Sequence, residues 1–229
     1  MKRQDLYFAI VMLAIFLPFF LSADLYDWYK TFNADHAMIM AFLKFGILAT
    51  LGEMLGCRIS TGNYTTPTFG VIPRMVVWGI LGMGISMAMT VFSTGIPAFI
   101  VSMGGENLVA DFATDGFSWG KLAVAFSISV AMNTIFAPVF MTFHKITDAH
   151  IAENGGKIKA LFTPIAMRRQ MASLNWDRQW SFIFKKTIPL FWYPAHTITF
   201  MLPGELRVLF AALLGVALGV ILAIGARKK

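Results

Sequence analysis

Three ionisable side chains stand inside long apolar runs of this sequence: Lys44, Glu53 and His196, with Lys185 and Lys186 near the end of one run. A charge at the bilayer centre costs roughly 2.5 to 3.5 kcal/mol on insertion scales, so a residue kept there pairs, meets water or lines a solute path. Lys44 and Glu53 are nine residues apart, half a turn out of phase on a helix, and cannot answer each other along one face. Each needs water or a partner on another helix. For Glu53 two readings stand open: an interfacial carboxylate paired with Arg58 or Arg74, or part of a polar cavity wall. Lys44 is long enough to snorkel. His196 reads either as an interhelical hydrogen bond or as a proton relay or ligand contact.

Prolines inside the runs are the next feature. Pro138, Pro189 and Pro194 each remove a backbone hydrogen bond from a helix, and neighbours, water or a solute must meet the freed carbonyls. Kinks of this kind can widen a bundle, although ordinary membrane helices carry them too. Gly52 with Gly56, Gly82 with Ser86, Gly84 with Ala88 and the series Ala211, Gly215, Gly219 stand at four-residue spacing, which permits close helix contact in a bundle or a homo-oligomer. Met83, Met87 and Met89 have no His or Cys beside them and read as gap fillers, not as a soft-metal path. The single cysteine, Cys57, excludes an intrachain disulfide and a cysteine-built metal site, and no metal or cofactor site is read from the chain. No His-Glu-x-x-His, P-loop or nucleophile elbow occurs, so an enzyme is the least supported class. Asn63-Tyr64-Thr65 fits a glycosylation pattern weakly, on a segment expected to face inward.

The elements that position these residues are apolar spans. The chain has 229 residues, 57% hydrophobic and 14% charged, with a mean hydropathy of +0.67. Soluble domains carry roughly a quarter charged residues, so this composition cannot cover a water-exposed surface. The apolar runs are 6–21, 37–55, 75–92 with a continuation past Pro97, 122–143, 182–202 and 206–224, each near the length that crosses a bilayer. The expectation is an all-α membrane protein, a bundle of about six transmembrane helices with both termini cytoplasmic. The first run could be a signal peptide, but it is long for one and Leu21 is bulky for the cleavage region, so an uncleaved helix is expected.

The net charge of +7 follows the loops instead of forming a nucleic-acid face. With the N-terminus inside, the inward segments hold Lys2, Arg3, Arg58, Arg74, Lys145, Lys157, Lys159, Arg168, Arg169, Arg178 and Arg227 to Lys229. The outward segments hold only Lys30, Lys121 and Arg207. Residues 144–181 read as a basic cytoplasmic loop. Within it, Lys157 to Met171 carries the stripe Ile158, Leu161, Phe162 and Ile165, which either lies on anionic lipid headgroups or, broken by Pro164, is a solvated loop.

A family pattern emerges from these residues taken in order. Leu51-Gly52-Glu53 resembles a Leu-Gly-Asp motif, with Cys57 in place of a usual Gln. Arg74 followed by Gly82-Met83-Gly84 looks like an Arg with paired glycines. Asn133 with Phe136-Ala137-Pro138 is similar to a pattern of Asp-Gln, two residues, then Phe-Ala-Pro. The last stretch runs Trp192, Pro194, His196, Phe200, Pro203 and Arg207 to Ala211. Together they resemble the Mpv/PMP group of peroxisomal and mitochondrial inner-membrane proteins over about residues 40 to 215. Met132 stands where that family has Asp, His196 where it has Gln, and its Gly-Pro and Trp-Tyr pairs are not visible.

The resemblance implies a weakly selective channel or facilitator for small hydrophilic solutes. Glu53, Asn133 and His196 would line it, together with Lys44, and Arg207 would stand at the outer mouth. It divides the chain into an added N-terminal helix and loop (1–36) and a family-like core (37–226) within one transmembrane domain. The alternatives are a non-conducting structural or stress-linked membrane protein and, behind it, a proton-coupled transporter, for which no inverted repeat is visible. An uncleaved basic start favours a bacterial inner membrane.

Overall fold

The computed structural model describes residues 3–227, with side chains described through Ile221; Lys2, Lys228, Lys229 and the Arg227 side chain lie outside them. Every regular element among the described residues is helical. Five helices are long and apolar enough to cross a membrane: α1 (Arg3–Leu21), α3 (Ala37–Thr61), α4 (Val71–Ser102), α6 (Trp119–Glu153) and, over its first eighteen residues, α10 (Gly204–Arg227). Between them lie α2 (Ala23–Asp35), α5 (Glu106–Phe112), α7 (Met167–Ser173), α8 (Trp176–Arg178) and α9 (Tyr193–Met201). The chain is thus an all-α, multi-pass membrane protein.

The expected fifth span differs. Instead of one α-helix over 182–202, the chain runs from α8 through a π-helix (Gln179–Trp192) into α9. In a π-helix the hydrogen bonds close over five residues, a rare arrangement usually confined to one turn. The Thr187 hydroxyl follows the same spacing, donating 3.2 Å to the Phe182 carbonyl. Pro189 sits inside this segment. Pro194, expected as a kink, instead occupies the first turn of α9, where a missing N–H costs nothing.

The expected basic loop is also partly helix. The fourth apolar run ends at Phe143, yet α6 continues to Glu153, because Ile146, Thr147, His150 and Ile151 keep a buried stripe on it. The 157–171 stripe does not form one helix: a short 3₁₀ turn (Ile158–Leu161) is separated by the stretch around Pro164 from α7. Phe162 stays 83% exposed.

Glycines set the closest helix contacts. A Cβ on Gly82 would stand 2.3 Å from Cβ of Phe45, and one on Gly52 2.9 Å from the Val216 backbone. These two positions let α4 and α10 each pack closely against α3. Gly84 and Gly215, by contrast, have nothing within 4 Å of such an atom. The bundle core is one apolar cluster that includes Phe45, Leu48, Met89, Val124, Ile128 and Phe200.

α1 has no buried residue and stands at the margin. Its first turn is tied to the end of α3 by Arg58, whose guanidinium donates to both oxygens of Asp5 at 2.7 and 3.0 Å, while Tyr64 donates to the same carboxylate at 3.2 Å. Burial and then that hydrogen bond hold the Tyr64 phenol above its usual range. Asp5 therefore lies at the same end of the bundle as Arg58.

Candidate functional site: a cavity between the helices

A cavity of about 500 Å³ lies between α3, α4, α6, the π-helix, α9 and α10. It brings together three of the residues singled out in the sequence, Glu53, Asn133 and His196, on three different elements. Its walls are aromatic as well: Trp78, Phe136, Phe140, Phe182 and Trp192. At the end that carries Arg58, Arg74 and Lys145, lining residues such as Asn175 and Arg178 are exposed, so the cavity opens there. At the other end it meets the apolar cluster around Phe45, Met132 and Ala211.

Glu53 sits near the open end in a network that joins three long helices. Arg74 of α4 donates through Nη1 to Glu53 Oε2 and to Asp148 Oδ1, both at 2.5 Å. His144, one turn before Asp148 on α6, places Nε2 3.2 Å from Glu53 Oε1 and Nδ1 3.7 Å from Asp148 Oδ2. Lys145 reaches Asp148 at 3.4 Å. Both readings of Glu53 therefore meet in one place: it pairs with Arg74, and it lines the cavity. Glu53, His144 and Asp148 also present ligand atoms within 4.8 Å of one another, a geometry that could hold a metal ion. The Arg74 guanidinium already bridges the two carboxylates and supplies the positive charge that such an ion would bring.

Sequence reasoning missed His144 and Asp148. A signal was present, since His and Asp four residues apart share one helix face, but both fall beyond the apolar run, in what reads as loop.

Asn133 lies mid-span on α6, buried, with its amide N–H donated to the Ser129 carbonyl at 2.8 Å. The Ser129 hydroxyl in turn donates to the Tyr193 carbonyl at 2.8 Å, joining α6 to the start of α9. One turn further on, His196 stacks on Trp192 with centroids 5.1 Å apart. The interhelical hydrogen bond expected of it is not made through Nδ1, which is buried with no partner among the described residues. Trp78 Nε1 and Gln179 Nε2 are in the same position, and both residues also line the cavity. Unpartnered buried polar atoms are uncommon and cost on the order of 1–3 kcal/mol each. Their gathering around one cavity marks it out from the dry core.

Lys44 and Arg207 are not part of this site. Lys44 is buried toward the other end of α3, hydrogen-bonded to Asn33 and 5.3 Å from the Tyr29 ring centre, both on α2. Arg207 closes the end of α9, donating to the carbonyls of Phe200 and Leu202 at 3.1 and 3.0 Å. Each ties two elements together.

What the fold and cavity define is an all-α multi-pass membrane protein with an internal, partly polar chamber. Beyond that class, no family model matches the chain, and neither the curated proteins nor the solved structures include a match.

Proposed function

We propose that the protein is a facilitator, a channel of low selectivity that lets small solutes cross a cell membrane, with the cavity as its inner vestibule. One observation carries this reading: the cavity gathers Glu53, Asn133 and His196 from separate elements into one wall. Polar groups inside a membrane protein gather where they face a wet path, and irregular backbone such as the π-helix is tolerated where it lines a cavity. The open end, with Arg58, Arg74, Lys145 and Arg178, is the cytoplasmic end in this reading, following the basic-residue asymmetry. The apolar cluster at the other end is the closed gate. Six crossings complete the topology, the segment 179–201 serving as the fifth, and the order of motifs aligns the bundle with the Mpv/PMP group.

Proteoliposomes loaded with small fluorescent or radiolabelled solutes test the proposal. Efflux faster than from empty vesicles is expected, and it should change when Glu53 becomes Gln. Efflux indistinguishable from protein-free vesicles would sink the transport reading.

A further inference from the structure

The charge and chemistry of the lining bear on what kind of solute fits, an inference that rests on the cavity being a solute path. The lining holds three formally charged side chains, Glu53, Lys145 and Arg178. The Glu53 carboxylate is already met by Arg74 and faces His144. Lys145 shares Asp148 with Arg74. Arg178 has no carboxylate and no side-chain hydrogen bond among the described residues; its backbone N–H donates to the Asn175 side chain. The charge left unanswered at the mouth is therefore positive.

Immediately inside stands Gln179, whose buried amide nitrogen lacks an acceptor among the described residues, as does the indole N–H of Trp78. Both groups are donors. Deeper, the walls turn aromatic with Phe136, Phe140 and Trp192. A volume of about 500 Å³ lies within the range of small-molecule sites, which pair apolar walls with a few placed polar groups.

We infer that the cavity binds organic anions with an apolar body, the oxyanion head held at the mouth by Arg178 and Gln179 and the body lying among the aromatic walls. Carboxylate, sulfonate and phosphate heads share this chemistry. A cation with the same body is disfavoured by Arg178, and a neutral analogue loses the charge-assisted bond.

The test is binding to the purified full chain in non-ionic detergent, read by calorimetry, with benzoate, benzyl alcohol and benzylammonium as probes of one shape and three charges. Benzoate is expected to bind at least about tenfold more tightly than benzylammonium. Arg178→Ala should bring benzoate down to the level of benzyl alcohol, and Arg178→Glu should invert the order of the two ions. Arg178 is exposed, so both variants keep the fold, which an unchanged unfolding midpoint verifies. Equal binding of the three probes, no saturable benzoate binding, or benzoate binding untouched by Arg178→Ala would overturn the inference. Selective benzoate binding without vesicle efflux would leave this site standing and remove the transport reading. Efflux without charge preference would remove the site alone.

Discussion

Lys44 and Glu53 occupy one helix nine residues apart, and the two ends of the bundle meet their charges in different ways. Toward one end, Lys44 is served from outside the core: α2 lies across the chain and supplies Asn33 and Tyr29 to a single ammonium. Toward the other, Glu53 is served from within: Arg74, His144 and Asp148 converge on it from neighbouring spans beside an open chamber. The first arrangement seals a single charge away from the cavity. The second keeps several charges mutually dependent beside the cavity. A buried lysine and a buried glutamate on the same helix thus carry different information, and only the second marks a cavity.

That contrast can be broken at Arg74. Arg74→Ala leaves Glu53 and Asp148 as two carboxylates without their shared cation, which should cost about 3–5 kcal/mol and lower the unfolding midpoint in detergent well below that of a Lys44 variant. Adding Glu53→Gln should recover part of the loss. If Arg74→Ala costs no more than removing the Lys44 charge, the two ends do not differ as described. Lys44→Met forfeits a charge-assisted hydrogen bond but also relieves the burial of an ammonium, so its net cost should be about 1 kcal/mol. Its signature is faster proteolysis within 23–35 and unaltered efflux, since Lys44 is not in the cavity wall. The smallest effect is expected at Gly215, where an added Cβ meets no atom within 4 Å. Gly215→Ala should raise stability by about 0.5–1 kcal/mol through helix propensity. Gly215→Phe should fill part of the cavity and slow efflux without lowering the midpoint.

The long spans were readable because a bilayer imposes length and composition together: the runs at 6–21, 37–55, 75–92, 122–143 and 206–224 all fall within helices. The contacts of Gly52 and Gly82 were readable from their spacing. Other features depend on contacts that no local pattern records. Asn33 looks like an ordinary loop residue until α2 brings it to Lys44. His144 and Asp148 were hidden because hydropathy ends a span where the apolar residues stop, whereas the helix continues as long as one face stays buried. Arg207 reads as a charge at a mouth because sequence cannot show that the carbonyls of Phe200 and Leu202 lie within its reach. The π-helix left no trace in composition at all, since it differs from an α-helix in hydrogen-bond register and winding and not in residue types.

That register carries one more consequence. A π-helix spends more residues per turn than an α-helix, so residues 179–192 hold spare chain length. A deletion of one residue there can be absorbed by tightening a turn to α geometry, so that the residues on either side keep their phase. Elsewhere in the bundle the same deletion would drag a packed helix face out of phase with its neighbours. The wall that carries Gln179 and leads to His196 is therefore the part of the protein best placed to gain or lose a residue while the five long apolar helices keep their positions.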